Sequence, residues 1–347
     1  MDFRDMQAGA RLQTGFLGII AFAIVLILLV QARFILICLA FAIIIFSLTS
    51  DAISAFARLR VPNWLATTLA LIAIATGLLG VTTALVAQVN QVVSVAIAYA
   101  DRVQSVLTSL SQRWGPEAQD GINTILASID VAGWVRTAAG QASNLISGSV
   151  MILIFVGFMF SERFWFPRKI QHLAGGAERA AQMQAVAHRI MRRVNRYLVV
   201  KGAISALTAA LVWLTFRLAG LELAGALAML TFVLNFIPVL GSVIATVITV
   251  AMALAQTGDL APTLVIAGVT TAVHFIIGNI LDPMLMGQTL RLSSFGIVLS
   301  LAFWGAVWGI AGAFLAVPIM VALMIVCAQF PWARPAAILL SQEGIPE

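Results

Sequence analysis

The chain has 347 residues, 61% of them hydrophobic and only 10% charged, with a mean hydropathy of +1.04. Soluble domains carry about 25% charged residues. This composition therefore excludes a water-soluble fold and leaves a chain whose apolar surface is solvated largely by lipid. The formal net charge of +6 does not point to nucleic acid, because its placement follows membrane topology.

Two apolar runs open the chain, at 14–31 and 33–50. Arg4 and Arg11 precede the first, and Val30-Gln31-Ala32 is weakly like a signal-peptide cleavage site. The second run follows almost at once, so the pair reads as an uncleaved helical hairpin. Further spans are expected at 64–87, 143–161, 198–217 and 260–281, each near the roughly 20 residues that cross a bilayer. Cys38 and Cys327 lie inside apolar runs and read as small apolar residues, with no disulfide framework and no metal-ligand spacing.

No proline occurs between Trp64 and Trp114, so one helix there would reach roughly 75 Å, far past the membrane. Val89, Ala96, Val103 and Leu110 recur every seven residues, with Val92, Tyr99 and Val106 between them. This heptad spacing suits packing against the helix after Gly121 or against a neighbouring subunit.

Segment 161–201 carries Arg163, Arg168, Lys169, Arg179, Arg189, Arg192, Arg193, Arg196 and Lys201 against Glu162 and Glu178, which assigns it to the cytoplasm. Both termini then fall on the cytoplasmic side and the polar stretch 88–142 outside. Within 177–200, Met183, Val186, Ile190, Val194 and Tyr197 form an apolar stripe on a basic amphipathic helix. Such a helix suits anionic headgroups or a protein partner.

Two later apolar stretches are too long for single spans. Pro238 and Gly241 break 222–256, and Gly305, Gly309 and Gly312 break 295–328. Each stretch reads as a re-entrant hairpin or as two short spans. The whole is an all-α polytopic membrane protein with about six full spans plus two broken elements. Hydropathy also suggests an inverted repeat, because 198–256 and 260–328 each read as a span followed by a broken stretch. Five regions are expected: an N-terminal hairpin and loop (1–63), a long helix with an external region (64–148), a span with the basic segment (149–197), a transport core (198–330) and a cytoplasmic tail (331–347).

Enzyme signatures are missing: there is no His-Glu-x-x-His, no phosphate loop and no G-x-S-x-G elbow. The chain therefore reads as a non-enzyme without a cofactor. Polar chemistry concentrates in the C-terminal third. In Asn235-Phe-Ile-Pro-Val-Leu-Gly-Ser242, Pro238 removes a backbone donor and Gly241 lets the backbone leave the helix, with Asn235 and Ser242 beside them. At membrane depth such a break is a kink or a binding element. In Gly278–Ser294, the residues Asn279, Asp282, Gln288, Thr289 and Arg291 gather around Pro283, as a helix end or as a site. His274 is an ionisable group inside a span, suited to ion coupling or to an interhelical hydrogen bond. Trp304 and Trp308, one turn apart, suit a solute path or interfacial anchoring.

These segments carry a family resemblance. Arg196-Tyr197 entering a span, the Asn235–Ser242 break, the Gly278–Ser294 segment and Leu299-Ser-Leu-Ala-Phe-Trp-Gly-Ala-Val-Trp-Gly-Ile-Ala-Gly-Ala-Phe-Leu-Ala-Val-Pro318 resemble the autoinducer-2 exporter family of predicted permeases, closest to its quorum-signal exporters. Those exporters have glutamate where Asp282 stands. The resemblance implies a homo-oligomer, a pentamer, in the bacterial inner membrane that moves a small polar solute without ATP. Sodium (or lithium)/proton antiport is the alternative, and a membrane scaffold without transport is a third reading. The expected substrate residues are Asn235, Pro238, Gly241, Ser242, Asn279, Asp282, Gln288, Trp304 and Trp308, with Asp282 and His274 as coupling residues and no metal.

Overall fold

The computed structural model describes residues 3–57, 63–98, 131–285 and 292–344. Among them the chain is helical apart from turns and one isolated bridge between Leu292 and Ser341. Lipid offers the backbone no hydrogen bonds, so apolar runs satisfy their own as helices. In chain order these are α1 (Phe3–Gln31), α2 (Arg33–Ala57), α3 (Asn63–Ala98), α4 (Val131–Glu162), α5 (Phe166–Ala174), α6 (Ala177–Leu218), α7 (Ala224–Leu234), α8 (Leu240–Thr257), α9 (Leu260–Ile276), α10 (Ser294–Gln329) and α11 (Arg334–Leu340). A π-helical turn, Ile277–Leu281, extends α9. Seven of these helices are long and apolar enough to cross a membrane, and the chain is an all-α polytopic membrane protein.

The link between α1 and α2 is a one-residue bend at Ala32 with no loop. Ala32 closes one helix and opens the next, its N–H donating to the Leu28 carbonyl (2.9 Å) and its carbonyl accepting from the Leu36 N–H (3.0 Å), so this join does not make the helical hairpin expected for residues 1–63. The 36 residues of α3 rise about 54 Å, well beyond the roughly 30 Å hydrocarbon core. Val89, Val92 and Ala96 lie on this helix, whereas Tyr99, Val103, Val106 and Leu110 fall outside the described residues. Helix α3 packs on α4, where the Thr82 and Ser149 hydroxyls meet at 2.7 Å. Cys38 and Ala42 of α2 join Ile152, Val156 and Phe160 of α4 in one apolar cluster, and both cysteines are free thiols.

Helix α6 organises the rest. The basic segment and the following span are one continuous helix of 42 residues. Its apolar stripe is covered by protein: Val186, Ile190, Val194, Tyr197 and Leu198 pack with Met320, Val321, Met324 and Ile325 of α10. Met183 is exposed, as are Arg189, Arg192 and Arg196.

Both broken stretches are hairpins. Helix α7 runs back along α6, with Leu227 packed near Val212 and Phe216, and Asn235 reaching Ser205. Helix α8 then returns until the Gln256 side chain accepts from the Glu222 N–H at 2.9 Å. At 11 residues, α7 rises only about 16 Å, too little to cross a bilayer. In α10 the chain reverses at Gly309, whose φ of 63° is open to glycine. The Ser300 hydroxyl on one limb donates to the Ala316 carbonyl on the other at 2.7 Å. The second limb returns beside the N-terminal part of α6, so the hairpins approach from opposite ends of that helix.

Candidate functional site

The hairpin tips meet. Ala313, just past the second reversal, clusters with Leu234, Ile237 and Ala245 around the first. Phe236 stacks on Phe314 with ring centroids 4.6 Å apart. Each tip depends on a glycine. A Cβ at Gly241 would sit 1.7 Å from the Leu234 carbonyl oxygen, and one at Gly312 would sit 1.9 Å from that of Trp304. Pro238 has no N–H to offer Leu234, so that carbonyl accepts from the Ile237 N–H at 2.8 Å. Val239 then takes φ 62° and ψ −58°, and the Leu240 N–H closes a three-residue turn on the Pro238 carbonyl at 2.7 Å. This turn is rare, and a β-branched residue at positive φ is strained by about 1–3 kcal/mol. Ser242 is half-buried and donates to the Val239 carbonyl at 2.8 Å, so its hydroxyl closes the turn.

Asn235 ends α7 and is buried. Its amide donates to the Ser205 hydroxyl at 3.1 Å and lies 3.5 Å from that of Thr208. One turn before Ser205 stands Lys201, 3% exposed, whose Nζ meets Asp282 Oδ2 at 2.6 Å. Four residues earlier, Tyr197 is 2% exposed. Tyr197, Lys201, Ser205 and Thr208 therefore form one buried polar stripe on α6, at the 3.6-residue period. The two segments singled out in the sequence touch that stripe on adjacent turns, Asp282 at Lys201 and Asn235 at Ser205.

Lys201 corrects the sequence reading. Counted there among the cytoplasmic basic residues, it is instead buried and paired. The signal was present: it lies three residues inside the apolar run that starts at 198, and Tyr197, Lys201 and Ser205 recur every four residues. Asp282 Oδ1 and the Tyr197 hydroxyl, both buried, have no hydrogen-bond partner among the described residues. The π-helical turn places Asp282 by shifting the register of α9, and its N–H bonds back five residues to Ile277.

Other expected site residues fall elsewhere. Asn279 is exposed and donates to the Phe275 carbonyl of its own helix at 3.0 Å. His274 is buried two turns before Asp282. Its Nδ1 donates to the Thr270 carbonyl at 3.0 Å and lies 3.4 Å from the Thr246 hydroxyl, which links α9 to α8. Trp308 is buried, packs on Trp304 at 4.5 Å and donates to the Leu29 carbonyl at 3.0 Å. That carbonyl belongs to the last turn of α1, where intrahelical partners run out. Trp308 thus fastens α1 to the second hairpin. Replacing it with Phe is expected to cost about 1 kcal/mol and to raise protease cleavage near residue 30, as read by limited proteolysis. Gln288 lies outside the described residues, with Thr289 and Arg291. Asp259 caps α9, accepting from the Ala261 N–H at 3.2 Å, and Glu222 sits in an exposed turn.

Opposed helical hairpins whose broken tips meet beside a buried ion pair define a membrane transporter of the broken-helix type. Comparison with known proteins agrees. The sequence profile described as AI-2E family transporter matches residues 17–332, and the chain belongs to that family. It is 35% identical over 201 residues to the AI-2 transport protein TqsA of Escherichia coli K12, covering 58% of this chain and 57% of that protein. It is 30% identical over 342 residues to a putative transport protein of Haemophilus influenzae, covering 96% of this chain and 98% of that one. The putative transport protein YhhT of Escherichia coli K12 is 31% identical over about half of each chain.

Proposed function

We propose that this protein is a secondary carrier of a small, uncharged, hydroxyl-bearing solute, autoinducer-2 or a similar metabolite, across the bacterial inner membrane. The reading rests on one observation: Asn235 from the first break and Asp282 from the second segment meet adjacent turns of α6 beside the joined tips. Neutral hydrogen-bonding groups dominate there, and a polyol needs such partners more than it needs charge. Each hydrogen bond contributes about 0.5–1.5 kcal/mol net, so several must converge. Sodium (or lithium)/proton antiport needs carboxylates free to exchange ion and proton. Asp282 is held by Lys201, while Asp259 and Glu222 lie at helix ends.

The test is flux through proteoliposomes of autoinducer-2, a panel of neutral polyols, and sodium or lithium, with and without a proton gradient. Uptake of a neutral solute that falls at least tenfold in folded Asn235→Ala supports the reading. Cation-for-proton exchange without polyol flux refutes it. The same proposal places both termini in the cytoplasm and the carrier in a closed homo-oligomeric ring, for which the family resemblance suggests five subunits. Single cysteines at positions 120 and 180 should label from opposite faces of the membrane. Labelling of both from one face overturns the orientation.

A further inference from the structure

We propose that Lys201 is a resident counter-cation at Asp282, which fits this site for uncharged ligands and closes it to free sodium and lithium. The inference rests on the carrier reading and deepens it by naming what the site rejects. A carboxylate in a low-dielectric interior must take a proton, bind a cation or pair with a fixed positive group. Here the third solution is built in. The Lys201 ammonium lies 2.6 Å from Oδ2, within the space a bound cation would need. It is tethered to a helix inside the hydrophobic part of the chain and is 3% exposed.

The surroundings agree with this assignment. Tyr197 and Ser205 flank Lys201 by one turn on either side, and both are hydroxyl groups. Ser205 is engaged by Asn235 at 3.1 Å, while Asp282 Oδ1 and the Tyr197 hydroxyl have no partner among the described residues. A neutral ligand hydroxyl can donate to that carboxylate oxygen and accept from a tyrosine. A free alkali cation would instead have to approach the carboxylate against the ammonium charge. Removing the ammonium would vacate its place and leave a buried carboxylate that a small cation could neutralise.

The experiment measures thermal unfolding of the purified full-length protein in lipid discs, at equal ionic strength in NaCl, LiCl or N-methylglucamine chloride. It requires no knowledge of the solute, so it can fail while polyol flux persists, or hold while that flux is never found. Wild type should melt at the same temperature in all three salts. Lys201→Ala should gain several degrees in sodium or lithium over N-methylglucamine, because a ligand that binds only the folded state raises the midpoint. The gain should vanish in Lys201→Ala/Asp282→Asn. Three results overturn the proposal. One is a sodium- or lithium-specific shift in wild type that Asp282→Asn removes. Another is folded Lys201→Ala with no cation response. The third is Lys201→Ala that folds in none of the salts while the double variant folds, since no cation would then be replacing the ammonium.

Discussion

A single methyl group added at Gly312 is expected to remove most folded protein from the membrane, whereas the same change at Gly305 is expected to be silent. At Gly312 the new Cβ would lie 1.9 Å from the Trp304 carbonyl oxygen and 2.8 Å from the Trp308 Cβ. These are backbone and near-backbone atoms, so the clash clears only if the hairpin opens. Overpacking of a core usually costs about 1–3 kcal/mol, and a clash against fixed backbone belongs at or above the upper end. Gly305 lies on the same hairpin, with no atom within 4 Å of its Cβ position. Its Ala variant should hold or slightly raise stability, because alanine has the higher helix propensity. Gly241→Ala should behave like Gly312→Ala, the contact there being 1.7 Å. Thermal midpoints and monodisperse yield in mild detergent decide the matter. If Gly312→Ala melts within a degree of Gly305→Ala, the second stretch does not fold back as described.

That contrast shows which parts of the fold the sequence carries and which it does not. Apolar runs of about 20 residues announce their spans because lipid leaves the backbone no alternative to a helix. Pro238 and Gly241 announce a break because one removes a donor and the other removes a side chain. Three glycines near the middle of 295–328 announce a second break, but hydropathy is blind to which of them turns the chain. The answer lies in local geometry: Gly309 takes the positive φ, Gly312 takes the close approach, and Gly305 remains an ordinary helical residue. The site was half legible. Asn235 and Asp282 stand out as polar residues at breaks in apolar runs. Lys201 is masked by the dense basic segment it adjoins, and only its place three residues inside the apolar run and its four-residue spacing from Tyr197 and Ser205 set it apart. His274 and Trp308 stand out as polar groups inside apolar runs, yet Trp308 bonds across to α1, and His274 bonds to Thr270 of its own helix through Nδ1 while its buried Nε2 has no partner among the described residues, arrangements that spacing alone cannot distinguish from transport.

The largest effect is expected at the ion pair itself. Lys201→Met should destabilise the protein by about 3–5 kcal/mol, the usual consequence of leaving one member of a buried pair without its partner. Asp282 is partly accessible, its side chain 22% exposed, which places the loss toward the lower end of that range. Adding Asp282→Leu to Lys201→Met should return most of the stability, since a buried pair replaced by apolar groups of similar volume is often neutral or better. The double variant should nevertheless lose transport of any solute that wild type carries, because the carboxylate and its hydroxyl-lined surroundings would no longer offer polar partners. Unfolding of the four proteins in N-methylglucamine chloride gives the coupling energy, which the cycle isolates if both single variants fold. A Lys201→Met protein as stable as wild type would mean that the pair is solvated in the membrane and not buried. A double variant that regained stability and also kept full flux would mean that the pair holds α6 to the end of α9 without handling solute, and the path would then have to be sought along Asn235 and the hairpin tips alone.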